Sequence, residues 1–132
     1  MEDLVDLPRE AYDISLVLQD RLFNPDNQLV YLTHPMERMT GFVGERVLVN
    51  GQAAFSRPVD GRPYRLRILN GSNARIYRLA WSDGRPLSVI GSDGGLIEKP
   101  LAMDTVLLGP AERVELWVDF GGWDKGQEAV LV

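Results

Sequence analysis

Apolar and polar side chains alternate with a period of two along most of the chain, which is the pattern of β-strands that bury one face. The clearest example is the Val-Glu-Leu-Trp-Val-Asp-Phe run from Val114 to Phe120. This alternation, together with a few short apolar runs, predicts about nine strands, at positions 14–19, 28–32, 46–49, 64–68, 75–82, 87–90, 105–108, 114–120 and 128–132. The chain is therefore expected to be all-β.

Turn-forming pairs separate these strands at intervals near ten residues, and such pairs tolerate the positive φ of tight hairpin turns. The Asn-Gly and Asp-Gly pairs begin at Asn50, Asp60, Asn70, Asp83 and Asp93. No apolar stripe at helical spacing is longer than two turns. At most one short helix is therefore expected, near residues 8–11 or 35–39.

The segment from Thr33 to Gly44 is a long irregular connection that contains Pro35 and Gly41. A Greek-key arrangement needs at least one crossing connection of this kind. Short strands, frequent turns and one long crossing together predict a Greek-key β-sandwich or barrel of about eight to nine strands.

The length and composition indicate one globular domain, since the 132 residues are 45% hydrophobic and 25% charged. Residues 1–11 are interpreted as an entry linker and residues 12–132 as a single domain. The sequence stops at Val132 within an apolar run, which suggests a piece of a longer parent. No stretch approaches the roughly 20 apolar residues of a membrane span, and the acidic start is unlike a secretion signal, so no membrane partner is expected.

Charge is distributed unevenly along a chain whose formal net charge is −5. From Arg57 to Arg85 there are seven arginines and two acidic residues, whereas the remainder holds 7 basic and 17 acidic residues. Aromatic side chains do not alternate with these arginines as a base-stacking platform requires. An exposed sheet face with ion pairs is favoured over a phosphate-binding stripe, and no nucleic-acid partner is expected.

The sequence has no cysteine and one histidine, His34. This composition excludes disulfides, ordinary zinc and iron–sulfur clusters, thiol nucleophiles and histidine-based catalytic dyads. His34, Met36 and Met39 nevertheless form a His-x-Met-x-x-Met group, and one imidazole with two thioethers is a set of soft ligands suited to weak binding of Cu(I). The favoured interpretation is a loop whose methionines fill gaps or are merely exposed.

Three further patterns are explained more simply by structure than by chemistry. Gly91–Gly95 does not lead into the helix of a phosphate-binding loop and is interpreted as a turn. Asn70–Ser72 matches a glycosylation sequon but also forms a tight turn. Of the candidate carboxylates Glu112, Glu115 and Asp119, the last two fall on the predicted solvent face, and nothing marks an acid–base dyad. No catalytic, cofactor-binding or metal-binding residue is assigned.

The tryptophans Trp81, Trp117 and Trp123 suggest a contact surface. Trp117 occupies an outward-facing position of its strand, where an exposed tryptophan is unusual. A central strand that is covered on both faces would explain Trp117 equally well. The sequence leaves both interpretations open.

Five motifs occur in a fixed order between Tyr12 and Phe120. They are DISLVLQDR at 13–21, GFVGERVLVNG at 41–51, YRLRILNGSNAR at 64–75, IGSDGGL at 90–96 and GPAER at 109–113. An ordered set is more specific than any one motif. Together they resemble the second cupredoxin domain of three-domain multicopper oxidases, the family that includes bacterial laccases, spore-coat laccases and bilirubin oxidases.

The resemblance implies that copper is held by histidines and one cysteine in the first and third domains of the parent. This sequence departs from every one of those ligand patterns, so no ligand position is carried over to it. The implied role is that of a copper-free domain that bridges its neighbouring cupredoxin domains and adds a wall to the substrate cleft. Oxidation of phenolic or similar substrates, with reduction of dioxygen to water, would belong to the complete parent.

The isolated domain is accordingly expected to lack oxidase activity and to form homo-oligomers through surfaces that face its neighbours. The edge around residues 129–132, with unpaired backbone groups, is the expected contact. The family implies a parent that is exported or spore-bound. A stand-alone β-sandwich that serves as a binding module is the alternative.

Overall fold

The computed structural model describes residues 6–132 and confirms the all-β prediction. Its strands, in chain order, are β1 (Asp13–Phe23), β2 (Leu29–Val30), β3 (Arg46–Val49), β4 (Pro63–Asn70), β5 (Tyr77–Leu79), β6 (Leu87–Ser92), β7 (Gly95–Met103), β8 (Val106–Leu108) and β9 (Arg113–Asp119). A 3-10 turn spans Glu10–Tyr12, and one α-helical turn, α1, spans Glu37–Thr40. Both candidate helical positions are therefore helical, where at most one was expected. Among these residues no helix has the length and apolarity to cross a membrane.

The main sheet has the strand order β2-β1-β4-β9-β6-β7, with β3 also paired to β1. Its pairs are antiparallel except β1 and β4, which run parallel with Leu18 opposite Asn70. A parallel pair requires a long crossover, and residues 24–62, including the irregular segment 33–44, provide it. β5 and β8 form a second, two-stranded sheet.

The core lies between the two sheets. Leu79 and Leu108 of the small sheet belong to the same buried cluster as Leu16, Leu66 and Leu116 of the large sheet. Burial of a side chain of this size stabilises a fold by roughly 1.5–3 kcal/mol. The inward half of the sequence alternation is therefore the core of a sandwich.

β7 is an element that the sequence pattern does not predict. The Ser92–Gly95 turn is present as expected, and it joins β6 to β7 in a hairpin. β7 lacks alternation because almost all of its side chains are exposed, and it contains Pro100. Proline lacks a backbone N–H and is confined mainly to edge strands, and β7 is the edge of the sheet.

The strand predicted at residues 128–132 is wrong. Leu131 forms only an isolated bridge with Trp81. The Val132 amide donates to the Ala80 carbonyl, and the Ser82 amide donates to the Val130 carbonyl. The expectation of an edge with unpaired backbone groups is corrected accordingly, because part of this edge pairs within the chain.

The predicted linker, residues 1–11, falls partly outside the described residues, which begin at residue 6. Residues 6–9 form neither helix nor strand. The Asn50-Gly51 turn has φ values of 49° and 81°, as a two-residue hairpin turn requires. Val49 and Gln52 pair across it.

Candidate functional site

Two polar residues occupy inward-facing positions in the C-terminal halves of neighbouring strands. Asp20 continues the buried series of Leu16 and Leu18 on β1, and Asn70 continues that of Ile68 on β4. Both side chains are fully buried. Burial of a polar group is unfavourable unless hydrogen bonds replace those made to water, so both positions need partners from elsewhere in the chain.

Asp20 finds its partners in two segments that are distant in sequence. Its Oδ2 accepts hydrogen bonds from the Gly44 amide at 2.6 Å and from Arg75 Nε at 3.1 Å. Arg75 Nη2 donates to the Gly44 carbonyl at 2.7 Å. Ser72 Oγ accepts from the Asp20 amide at 3.1 Å and lies 2.8 Å from the Tyr77 hydroxyl. We call Asp20, Gly44, Ser72, Arg75 and Tyr77 the polar anchor.

The polar anchor changes the acidity of two of its members. Burial raises the pKa of Asp20, but the neighbouring Ser72 hydroxyl, the Gly44 amide and the Arg75 guanidinium together lower it further, so the pKa lies below the ordinary value. Burial raises the pKa of the Tyr77 hydroxyl above its ordinary value. Asp20 is therefore ionised and Tyr77 neutral near pH 7. The ionised Asp20 forms a structural ion pair with Arg75.

Close backbone packing explains why glycine occupies two positions of the crossing segment. A Cβ on Gly44 would lie 2.5 Å from backbone atoms of Arg21. A Cβ on Gly41, whose φ is +89°, would lie 2.4 Å from the Cβ of Ala74. The polar anchor thus ties the end of the crossing segment directly onto β1 and the loop after β4.

Asn70 joins the second sheet to this region. Its Nδ2 donates to the carbonyls of Arg75 and Leu108, both at 2.8 Å, and its Oδ1 accepts from the Ser72 amide at 2.9 Å. Because the amide is buried and hydrogen-bonded, the folded domain does not present the Asn70 sequon for glycosylation. The structural interpretation of Asn70–Ser72 is the one that the geometry supports.

The soft-ligand group lies at α1 and is exposed. Met36 is 65% and Met39 85% exposed, so the interpretation in which the methionines fill gaps is wrong and the exposed-loop interpretation fits. His34 is exposed as well. The structure therefore brings all three side chains to the surface of one short turn.

The candidate carboxylates have separate structural roles. Glu112 accepts a hydrogen bond from the Gly109 amide, and Asp119 accepts one from the Gly121 amide at 2.7 Å. Glu115 forms an ion pair with Arg65 at 2.6 Å. The Arg65 and Glu115 side chains are both largely buried. The prediction that Glu115 faces solvent is therefore wrong. Each of the three carboxylates thus has its own structural partner in the described part of the chain.

Within residues 6–132, carboxylates pair with four of the seven clustered arginines, which agrees with the predicted ion pairs, although Arg65 is buried and does not lie on an exposed sheet face. The pairs are Arg65 with Glu115, Arg67 with Asp13, Arg75 with Asp20 and Arg85 with Asp83. The Arg85 guanidinium also lies 4.4 Å from the Trp81 ring centroid and 4.3 Å from that of Trp123. Two of the three tryptophans thus hold an arginine of the same chain.

Trp117 is half-buried on β9, the strand between β4 and β6. Its neighbours in register are Arg65 and Ser88. This position fits the interpretation of a central strand covered on both faces. The sequence could not decide the question because the outward set of β9 mixes charged and aromatic residues.

Sequence reasoning missed the polar anchor, although one signal for it exists. Asp20 and Asn70 keep the inward parity of their strands, and a polar residue at a core position indicates a buried network. The parity cannot identify the partners, because Gly44 and Arg75 lie 24 and 55 residues from Asp20.

Comparison with known proteins gives consistent relatives, although no family model matches the sequence. The chain is 34% identical over 139 residues to a laccase of Bacillus subtilis (strain 168), covering 98% of this chain and 27% of that laccase. It is 45% identical over 116 residues to the cell division protein FtsP of Edwardsiella tarda (strain FL6-60), covering 88% and 23% respectively.

Solved structures agree with these relatives. The laccase from Pediococcus acidilactici Pa5930 superposes with a TM-score of 0.87 and 40% identity, covering 99% of this chain and 28% of that laccase. The chain thus spans about a quarter of the length of the proteins it matches. In its sequence and its all-β sandwich, the chain matches cupredoxin-like domains of multicopper oxidases.

Proposed function

We propose that this chain is the middle domain of a laccase-like multicopper oxidase, that it holds no catalytic copper, and that it bridges two copper-binding neighbours. The observation that carries the proposal is the coverage of the matches, which include nearly the whole chain but about a quarter of each relative. Oxidation of phenolic or similar substrates, and reduction of dioxygen to water, would then be activities of the complete parent.

The residues of this chain do not fit a catalytic copper site. A blue copper site requires a thiolate and two imidazoles, whereas the sequence has no cysteine and one histidine. That histidine is exposed in the crossing segment, away from the core. No step of the oxidase reaction is therefore assigned to this domain.

The surface supports contacts on two sides. Exposed apolar side chains lie in or beside β2, at Leu29 and Tyr31, and on β7 and β8, at Leu101, Met103 and Leu107. β2 and β7 are the two opposite ends of the main sheet. Grouped exposed apolar residues mark interaction sites, so this arrangement suits a domain that contacts one neighbour at each edge.

A comparison of the full-length parent with the isolated chain tests the proposed function. Both proteins are produced with copper supplementation, and bound copper and phenol oxidation are measured for each. We expect the parent to bind copper and oxidise the phenol, and the isolated chain to show no oxidase activity. Phenol oxidation by the isolated chain would contradict the proposal.

A second candidate is a binding module within a non-oxidase parent, and the 45% identity to a cell division protein favours it. The same experiment separates the two candidates. A full-length parent that folds without copper and oxidises no phenol supports the binding module and contradicts the bridging role in an oxidase.

A further inference from the structure

We propose that His34, Met36 and Met39 form a surface binding site for Cu(I). This site is separate from any catalytic copper of the parent, and the inference does not depend on the proposed function. It begins with an exposure that packing within the described part of this domain does not explain. Two methionines within one short turn expose 65% and 85% of their surface, although methionine is usually buried.

The backbone places the two thioethers on one face. The Met39 amide donates to the Met36 carbonyl at 2.9 Å, and the Thr40 amide donates to the same carbonyl at 3.0 Å. Residues three apart in such a turn have Cβ atoms about 5–6 Å apart on the same side. Two flexible thioether side chains that start this close can reach one ion.

His34 begins the same turn. Its carbonyl accepts from the Glu37 amide at 3.1 Å, and its amide donates to Glu37 Oε2 at 3.0 Å. The Thr33 hydroxyl lies 3.2 Å from the same carboxylate oxygen. These reciprocal contacts fix the turn. The exposed His34 imidazole has no hydrogen bond to the described part of the chain, so its nitrogens remain available as ligands.

The rest of the fold holds this turn in place. Tyr31 before the turn packs against Phe42 after it, with ring centroids 5.1 Å apart. The Tyr31 hydroxyl accepts from Asn73 Nδ2 at 3.2 Å. Two residues further on, Gly44 is fastened by Asp20 and Arg75 of the polar anchor. The ligands therefore stand on a closed loop with fixed ends, which reduces the entropy lost on binding.

The chemistry of the ligands selects the ion. Thioethers are soft ligands and favour Cu(I) over the harder divalent ions, while imidazole binds either class. Structural zinc normally takes four ligands from cysteine, histidine and carboxylate. Among residues 6–132 no group of three or more such side chains is placed to hold a metal. These residues therefore favour a Cu(I) site with three ligands, two of which are thioethers.

Anaerobic competition with a chromophoric Cu(I) chelator tests the proposal on the 132-residue chain. We expect one Cu(I) ion per chain with micromolar or tighter affinity. Loss of even an outer partner of a metal ligand weakens binding about tenfold or more. Met36→Leu with Met39→Leu, and separately His34→Gln, should therefore each weaken binding at least about tenfold. Met103→Leu, on β7, is the matched control and should leave the affinity unchanged.

NMR of methyl-labelled methionine locates the ion independently of affinity. The sequence has four methionines, at positions 1, 36, 39 and 103. Addition of Ag(I), a redox-inert substitute for Cu(I), should shift the methyl signals of Met36 and Met39 only. Absence of micromolar binding, unchanged affinity in either ligand variant, or equal shifts at Met103 would overturn the site. Because the variants change exposed side chains, circular dichroism should show an unaltered fold.

Discussion

At the scale of single residues, Asp20 shows how a charged side chain is tolerated inside a sandwich. The carboxylate is fully buried, and its Oδ2 accepts from the Gly44 amide and the Arg75 guanidinium. Strand parity predicts that position 20 faces inward. It does not predict what meets Asp20 there, because the partners come from a crossing loop and from the loop after β4.

Asp20→Asn should strongly destabilise the domain. The substitution keeps the shape of the side chain but removes the negative charge and leaves Arg75 without its buried partner. Removal of one member of a buried pair costs about 3–5 kcal/mol of folding stability. Because Arg75 is partly exposed, we expect a loss of about 3 kcal/mol, at the lower end of the range. Urea denaturation measures the change. Asp26→Asn, at an exposed position, is the control, and equal stability of the two variants would contradict the role of the pair.

Stability should also depend on pH through the same residue. The pKa of Asp20 is lower in the folded chain than its ordinary value of 3.8. The ionised carboxylate therefore stabilises the fold above that value, and this contribution is lost as pH falls below it towards the folded pKa. In urea denaturation across this range, the stability gap between wild type and Asp20→Asn should narrow on acidification. A constant gap would refute the assignment.

At the scale of elements, the sequence predicts strands well where one face is buried and poorly where neither face is. β4 and β9 alternate clearly and lie in the centre of the main sheet. β7 gives no alternation because it is an exposed edge strand that contains Pro100. The apolar run at 128–132 looks like a strand but contributes one bridge. Both errors arise because the sequence pattern does not reveal how exposed a segment is, which depends on tertiary contacts.

Gly44→Ala tests how tightly the crossing segment packs on β1. The added Cβ would lie 2.5 Å from the Arg21 backbone, and overpacking of this kind costs about 1–3 kcal/mol. Gly94→Ala is a matched control, since a Cβ there meets nothing within 4 Å. Thermal unfolding should show a clear loss for the first variant and little change for the second. A Gly44→Ala protein as stable as the control would mean that the segment is not fastened as described.

At the scale of the whole molecule, exposed apolar residues lie at both ends of the main sheet, among others elsewhere on the surface. Leu29 lies on β2 at one end, and Leu101 lies on β7 at the other. The sequence alone could not place them, because β7 was not predicted and the strand order follows from long-range pairing. The overall class and the absence of thiol ligands, in contrast, can be predicted from the sequence.

Charge introduced at either edge should impair the full-length parent. In the proposed bridging role, Leu29→Glu and Leu101→Glu would each place a carboxylate in an apolar contact with a neighbouring domain, and burial of an unpaired charge is unfavourable. We expect a loss of phenol oxidation for both variants, with unchanged stability of the isolated chain. Val59→Glu changes an exposed apolar residue outside both edges and should retain activity. Full activity of both edge variants would argue against a bridge.

Our proposal is that this domain connects copper sites without holding one in its core. Its most direct test is a crystal structure of the full-length parent with anomalous scattering recorded at the copper edge. We expect catalytic copper in the flanking domains, contacts to them through the β2 and β7 edges, and no copper between the two sheets of this domain. A fully coordinated copper ion between the two sheets of this domain would contradict it.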